Sequence, residues 1–116
     1  MKAGFTLDLL TQAAVVIDHE GGVCFSNEAA AQLWVLDVER LQQLRAEDLF
    51  PDDPEVLQHV EQVFTTGKSI RRPGLPPQSQ PLAKRVLDVI ASPVLNDSGG
   101  VTHVLLCLLD TTHHHA

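Results

Sequence analysis

The chain has 116 residues, enough for one domain that buries a core of its own without disulfides. Its 44% hydrophobic and 20% charged residues are typical of a globular protein and argue against a disordered one. Eight Lys and Arg residues against fifteen Asp and Glu residues give a formal charge of −7. This balance argues against a nucleic-acid-binding surface, which depends on clustered cations.

The N-terminal part of the chain predicts a cap segment and a β-hairpin. Residues 1–13 contain a short amphipathic lead-in with helical character and are interpreted as the cap segment. The β-branched run 14–18 and the segment 23–26 predict two strands, because Gly21 and Gly22 lie between them and are typical of a turn.

Short helices are predicted after the hairpin. Asn27 is a favourable N-cap for a helix over residues 28–34, and Glu28 in the first turn suits the helix dipole. Residues 37–50 then predict one or two short helical turns, because leucines recur through the segment.

The best-marked helix lies between Pro54 and Gly67. Pro54 suits a first helical turn, Asp52 and Asp53 are interpreted as caps, and Gly67 can end the helix in the left-handed conformation. Five apolar residues recur at helical spacing and predict one buried face: Val56, Leu57, Val60, Val63 and Phe64.

The C-terminal part predicts strands. Residues 68–71 predict a short edge strand. The proline-rich residues 72–82 predict an extended connector, because proline fixes φ and has no backbone donor. Residues 85–95 and 101–110 predict a second hairpin, so the fold class is α+β.

Several short motifs in this order resemble those of PAS domains. They are Val15-Val16-Ile17-Asp18 with Gly22-Val23, Ser26-Asn27-Glu28-Ala29-Ala30, Leu49-Phe50-Pro51 with Phe64-Thr65-Thr66-Gly67-Lys68, Ser92-Pro93-Val94 with Gly99-Gly100-Val101, and Asp110-Thr111-Thr112. The resemblance covers nearly the whole chain. It departs from the family where the proline-rich connector replaces the usual turn between the third and fourth strands, and at Gln43, where a glycine is usual.

The resemblance implies a five-stranded antiparallel sheet in the order 2-1-5-4-3, with helices on one face and the N-terminal cap helix on the other. It places the PAS domain at residues 14–112. The following residues 113–116, which contain three consecutive histidines, are interpreted separately as a disordered tail or the remnant of a tag. The resemblance implies a sensory input domain with a covalently linked output domain outside this fragment, with Asp110 and Thr112 as the signal exit. A bacterial sensor histidine kinase is the first expectation; a diguanylate cyclase or a transcription regulator is the alternative.

A ligand of such a domain is expected between the inner sheet face and the helices. Seven residues are the pocket candidates: Trp34, Leu36, Phe50, Val60, Phe64, Val89 and Leu106. This set is apolar, which favours a small hydrophobic molecule, a cofactor ring or simply packed side chains.

The last strand is predicted to be covered on its outer face as well. Both faces of residues 101–110 are apolar, whereas a face left in water alternates with polar residues. A homodimer is therefore expected, with cover by the cap segment alone as the alternative. The interface candidates are Phe5, Leu9, Leu10, Leu105, Cys107 and Leu109.

No cofactor, metal site or catalytic residue is predicted. In PAS relatives that form a flavin adduct, the reactive cysteine precedes the long helix, and residues 37–50 contain none. His59 lies on the long helix, where haem-binding relatives carry their ligand, but about 100° from the centre of the apolar face, so haem is not expected. Because no polar groups converge on one site, the domain is not expected to be an enzyme. A ligand-free interaction scaffold is the second hypothesis for its function.

Two further features of the sequence bear on the cellular compartment of the protein. No apolar run is long enough to cross a bilayer, so no membrane contact is expected. The two cysteines, Cys24 and Cys107, are too few for a disulfide framework and are interpreted as small packing residues. A cytoplasmic compartment is therefore expected.

Overall fold

The computed structural model describes residues 12–112. Within that range, five strands form one antiparallel sheet in the order β2-β1-β5-β4-β3, which confirms the predicted order. The strands are β1 Ala13–Asp18, β2 Val23–Ser26, β3 Ile70–Leu75, β4 Leu87–Leu95 and β5 Val101–Asp110. The helices are α1 Glu28–Trp34, α2 Val38–Leu41, α3 Ala46–Leu49 and α4 Pro54–Thr66. The N-terminal cap helix and the C-terminal tail, predicted at residues 1–13 and 113–116, lie almost wholly outside the described residues.

Asn27 joins β1 to the start of α1. Its side-chain oxygen accepts hydrogen bonds from the backbone N–H groups of Ala30 at 2.9 Å and Ala14 at 3.0 Å. Its side-chain nitrogen donates to the carbonyl of Gln12 at 3.0 Å. The predicted N-cap is therefore confirmed, and the same buried amide also fixes the beginning of β1.

Helix α4 ends at Gly67 as predicted, with Gly67 at φ 70° in the left-handed region that favours glycine. The prediction that the Asp53 side chain caps the start of this helix is wrong. The Asp53 side chain makes no capping hydrogen bond. It is buried, and its two oxygens accept the backbone N–H groups of Gln78 at 2.9 Å and Ser79 at 3.0 Å, so it holds the proline-rich segment instead.

Strand β3 is longer than predicted and includes Pro73 and Gly74. It tolerates a proline because it is the edge strand, where a missing backbone donor breaks no pairing on the open side. Its register with β4 shifts between Arg72 and Leu75, and the Gly74 N–H donates to the Asp88 side chain at 2.9 Å. The connector between β3 and β4 is therefore shorter than predicted. Strand β4 begins at Leu87, two residues later than the predicted start at residue 85.

Candidate ligand and signalling sites

The predicted pocket is occupied by side chains. Five of the seven candidates are buried members of the hydrophobic core: Trp34, Phe50, Val60, Val89 and Leu106. The rings of Trp34 and Phe50 meet edge to face, with centroids 5.6 Å apart, and the Trp34 indole N–H lies 3.4 Å from the Leu49 carbonyl oxygen. These residues pack on one another as a core does.

Leu36 does not join this group, contrary to the expectation. It is 37% exposed, because the preceding Val35 adopts the left-handed conformation at φ 58° and turns the chain away from α1. Phe64 lies at the margin, partly buried against the core.

A cleft at the side of the domain was missed by the sequence analysis. Its volume is about 360 Å³, and we call it the lateral cleft. Three separate segments form its walls: the end of β1 with the following turn, the start of α3, and one side of α4. Its lining consists of Ile17, Asp18, His19, Glu20, Gly21, Arg45, Ala46, Glu47, Leu57, Val60, Glu61 and Phe64. Of the predicted pocket residues, only Val60 and Phe64 belong to it.

His19 connects the turn after β1 to two other parts of the fold, the beginning of β5 and the end of α4. Its Nε2 lies 2.7 Å from the carbonyl oxygen of Val101, so this nitrogen carries the proton and donates it. The imidazole also packs against the Phe64 ring in a tilted arrangement, with ring centroids 4.5 Å apart. The turn after β1 is thereby held against both the beginning of β5 and the end of α4.

The charged groups of the cleft are partly engaged with each other. The Arg45 guanidinium donates to the backbone carbonyl of Glu20 and, through Nε, to the Glu47 carboxylate at 3.0 Å. The Asp18 carboxylate accepts the backbone N–H groups of Glu20 and Gly22, both at 2.9 Å. Backbone contacts close the same corner, because the Ala46 N–H donates to the carbonyl of Gly21 at 2.8 Å.

The motif predicted as the signal exit ties the end of β5 to the residues before β4. The Asp110 carboxylate pairs with the Arg85 guanidinium at 2.5 Å and accepts the Thr112 backbone N–H at 2.9 Å. The Thr112 hydroxyl accepts the Val86 N–H at 3.0 Å, and the Thr111 N–H donates to the Val86 carbonyl at 2.9 Å. We call this set of contacts the exit clamp.

Electrostatics favour the charged state of the exit clamp. Burial raises the pKa of the Asp110 carboxyl, but hydrogen bonds from Thr112 together with the nearby Arg85 charge outweigh that effect and hold the pKa below its ordinary value. Asp110 is therefore ionised at neutral pH and paired with Arg85.

The outer face of the sheet carries the predicted interface side chains of β5. Leu105, Cys107 and Leu109 are each only partly buried. Two cross-strand neighbours on the same face extend the apolar surface: Val16 lies opposite Leu105, and Ile90 lies opposite Cys107. Phe25 lies opposite Val16 in turn. On β4 the polar Ser92 and Asp88 lie opposite Leu105 and Leu109, so they flank this apolar patch. The other candidates, Phe5, Leu9 and Leu10, lie outside the described residues.

Neither thiol has the environment of a reactive cysteine. Cys24 and Cys107 are both free. Burial raises the pKa of the Cys107 thiol, and burial together with the Asp18 charge raises the pKa of the Cys24 thiol.

The long-helix histidine contacts a surface ion pair. His59 Nε2 lies 3.9 Å from the Glu55 carboxylate, whose Oε2 also accepts the Arg72 Nε–H at 2.8 Å. Within residues 12–112, no three His, Cys, Asp or Glu side chains are grouped so that they could hold a metal ion. Across the same range, every helix is too short or too polar to span a membrane.

The fold is a small α+β domain with helices packed on one face of a five-stranded antiparallel sheet, and comparisons with known proteins identify its family. The PAS fold family matches residues 7–116. The chain therefore belongs to the PAS family. No curated protein sequence matches it.

Solved structures give the same fold. A sensory box sensor histidine kinase from Vibrio cholerae superposes with a TM-score of 0.73 at 20% identity, covering 92% of this chain and 87% of that one. The PAS domain of a protein from Colwellia psychrerythraea gives 0.70 at 17% identity, covering 95% and 94%. The PAS domain of nitrogen regulation protein NR(II) from Vibrio parahaemolyticus gives 0.68 at 17% identity, covering 95% and 99%.

Proposed function

We propose that this chain is a cytoplasmic sensory and dimerisation input domain of a bacterial signal-transduction protein, most closely a sensor histidine kinase. The single observation that carries the proposal is the apolar patch on the outer face of the sheet. Val16, Phe25, Ile90, Leu105 and Cys107 share that face through cross-strand pairing. An antiparallel sheet packed on its core through one face normally presents alternating polar residues on the other.

A second copy of the same surface is the proposed cover. Each large apolar side chain that becomes fully buried contributes about 1.5–3 kcal/mol relative to full exposure, and the partly buried side chains here contribute a fraction of that. Several such side chains on two copies are enough for a stable dimer when they form one continuous patch. The alternative is cover by the cap segment of the same chain.

The exit clamp supports the signalling part of the proposal. Through Asp110 and Thr112 it fixes the end of the central strand to Arg85 and Val86. A linked output domain following this motif would receive any movement of β5 through a rigid connection and not through a loose linker. The similarity to the sensory box sensor histidine kinase from Vibrio cholerae supports that class of output over a diguanylate cyclase or a transcription regulator.

We further propose that the domain has no enzymatic activity of its own and uses no haem or flavin. The packed arrangement of Trp34, Phe50 and Leu106 supports the part of this proposal that concerns cofactors, because a cofactor ring between the sheet and the helices would need the space that these side chains fill. The same packing favours a ligand-free interaction scaffold as the second candidate function. An absorption spectrum of the purified protein tests both statements on cofactors, since haem or flavin bands would overturn them.

Sedimentation velocity over a wide range of protein concentration tests the dimer. We expect a concentration-dependent dimer that Leu105→Asp converts to a monomer. The introduced carboxylate would be buried in the apolar interface with no cation to pair with it, and burial of an unpaired charge is costly. Leu95→Asp is the matched control, since Leu95 is 54% exposed at the end of β4 and should leave the dimer intact. Circular dichroism verifies folding of both variants. A wild-type monomer at every concentration contradicts the proposal.

A further inference from the structure

The floor of the lateral cleft is apolar. Ile17, Ala46 and Val60 are buried there, and the partly buried Leu57 and Phe64 complete it. The cleft volume of about 360 Å³ lies in the range of small-molecule sites and exceeds the roughly 150 Å³ that holds a benzene ring in an enclosed protein cavity. The floor therefore suits the hydrocarbon part of a small molecule of one ring and a short chain.

The rim of the cleft is acidic. Four carboxylates line it, those of Asp18, Glu20, Glu47 and Glu61, against the single guanidinium of Arg45. With His19 neutral, four negative charges and one positive charge leave a formal charge of −3. An anionic ligand would be repelled from this rim, whereas a cation would be attracted to it.

The one cation of the rim is already engaged. The Arg45 guanidinium donates to the Glu47 carboxylate and to the Glu20 backbone carbonyl. By contrast, no ion pair within the described residues involves the carboxylates of Glu20 and Glu61. The exposed Glu61 lies on α4 one turn before Phe64, so a negative charge adjoins the apolar floor.

We propose that the lateral cleft binds a small organic cation, of the chemical class of the arylalkyl amines. The hydrocarbon body packs on Leu57, Val60 and Phe64, and the ammonium group remains at the carboxylate rim. Such a molecule would be the signal of the proposed sensory domain, so its biological meaning rests on that function. The binding itself is independent of it and is measured separately.

The probe is 2-phenylethylamine, titrated into the full chain at low salt and followed by amide NMR shifts. 2-Phenylethanol and phenylacetate serve as neutral and anionic probes with the same ring. We expect the amine to shift residues 17–21, 45–47 and 57–64, and to bind at least about threefold more tightly than either control, a typical gain for exposed charge pairs. Added salt should reduce this difference.

Substitutions of Glu61 test the role of the rim. Glu61→Gln should weaken amine binding about two- to fivefold, and Glu61→Lys should weaken it further while improving phenylacetate binding. Glu39→Gln is the control, because Glu39 is an exposed glutamate on α2 that does not line the cleft. It should leave the affinity unchanged although it removes the same charge.

Two results would overturn the assignment. One is equal binding of all three probes, which would leave only non-specific apolar contact. The other is an equal loss of affinity in Glu39→Gln and Glu61→Gln, which would reflect the overall charge of −7 and no local site. Sedimentation of the same samples separates this outcome from failure of the proposed dimer, since a monomer that binds the amine contradicts only the dimer.

Discussion

The Asp53 carboxylate lies 3.0 Å from the backbone nitrogen of Ser79, 26 residues further along the chain. Its other oxygen accepts the N–H of Gln78 at 2.9 Å, and the Ser79 hydroxyl accepts the N–H of Asp52 at 2.9 Å. Ser79 is fully buried, and so is Leu82. These contacts attach the proline-rich segment to the start of α4 and close that end of the core.

Replacing Asp53 with alanine should therefore destabilise the domain. Two buried or partly buried N–H groups would lose a charged acceptor, and we expect the free energy of unfolding to fall by about 2–3 kcal/mol. Asp52→Ala is the matched control, because it removes an exposed neighbouring carboxylate and keeps the backbone N–H that binds Ser79. Urea denaturation measures both. Equal effects of the two substitutions would contradict a specific role for Asp53.

Val35 offers a stabilising substitution. It adopts φ 58° at the end of α1, a conformation that costs a β-branched residue energy and suits glycine, and its side chain is 75% exposed. Val35→Gly should raise the free energy of unfolding by about 1 kcal/mol, because it removes strain without losing core contacts. Glu39→Gly, at an ordinary helical position, should instead lower it by a similar amount. Thermal unfolding of both variants gives the comparison, and a destabilised Val35→Gly would refute the strain argument.

Stability should depend on acid pH through Asp110. Its pKa is lower in the folded chain than its ordinary value near 3.8. Such a group stabilises the fold above the unfolded-state pKa, and this contribution is lost as the pH falls through the folded-state pKa. We therefore expect the free energy of unfolding to decrease below about pH 4, and Asp110→Asn to decrease less steeply. Asp97→Asn, in the β4–β5 turn, is the control. Denaturation at several pH values would contradict this if all three proteins had the same slope.

The two thiols provide a test of the proposed interface that needs no substitution. Thiolates are the reactive form, and the raised pKa of both thiols predicts slow alkylation at neutral pH. Cys107 lies on the outer sheet face and Cys24 is exposed on β2. On dilution of the protein, iodoacetamide should modify Cys107 severalfold faster as the dimer dissociates, with Cys24 as the internal reference. A constant ratio of the two rates, read by mass spectrometry, would count against the outer face as the interface.

Local patterns were sufficient for most of the elements. Asn27 before an alanine-rich segment, Pro54 and Gly67 around an amphipathic one, and the glycines of the two hairpins all act within a few residues, so their effect can be read from the sequence. The alternation in β5 likewise predicted which side chains face the core. The prediction for strand β3 ended too early, before Pro73. The strand tolerates this proline because it lies at the edge of the sheet, and its place in the sheet cannot be read from local sequence.

The candidate site could be predicted only in part. The sequence by itself determined the PAS order of elements, the apolar faces of α4 and β5, and the exit motif at Asp110, since short-range spacing and hydrophobic alternation encode them. Only the tertiary structure decided that the expected pocket is filled, that Asp53 holds the proline-rich segment, and that Asp18, Arg45 and Glu61 meet around one cleft. Those outcomes depend on how distant segments pack, and packing volume and long-range contacts leave no periodic signal in a single sequence.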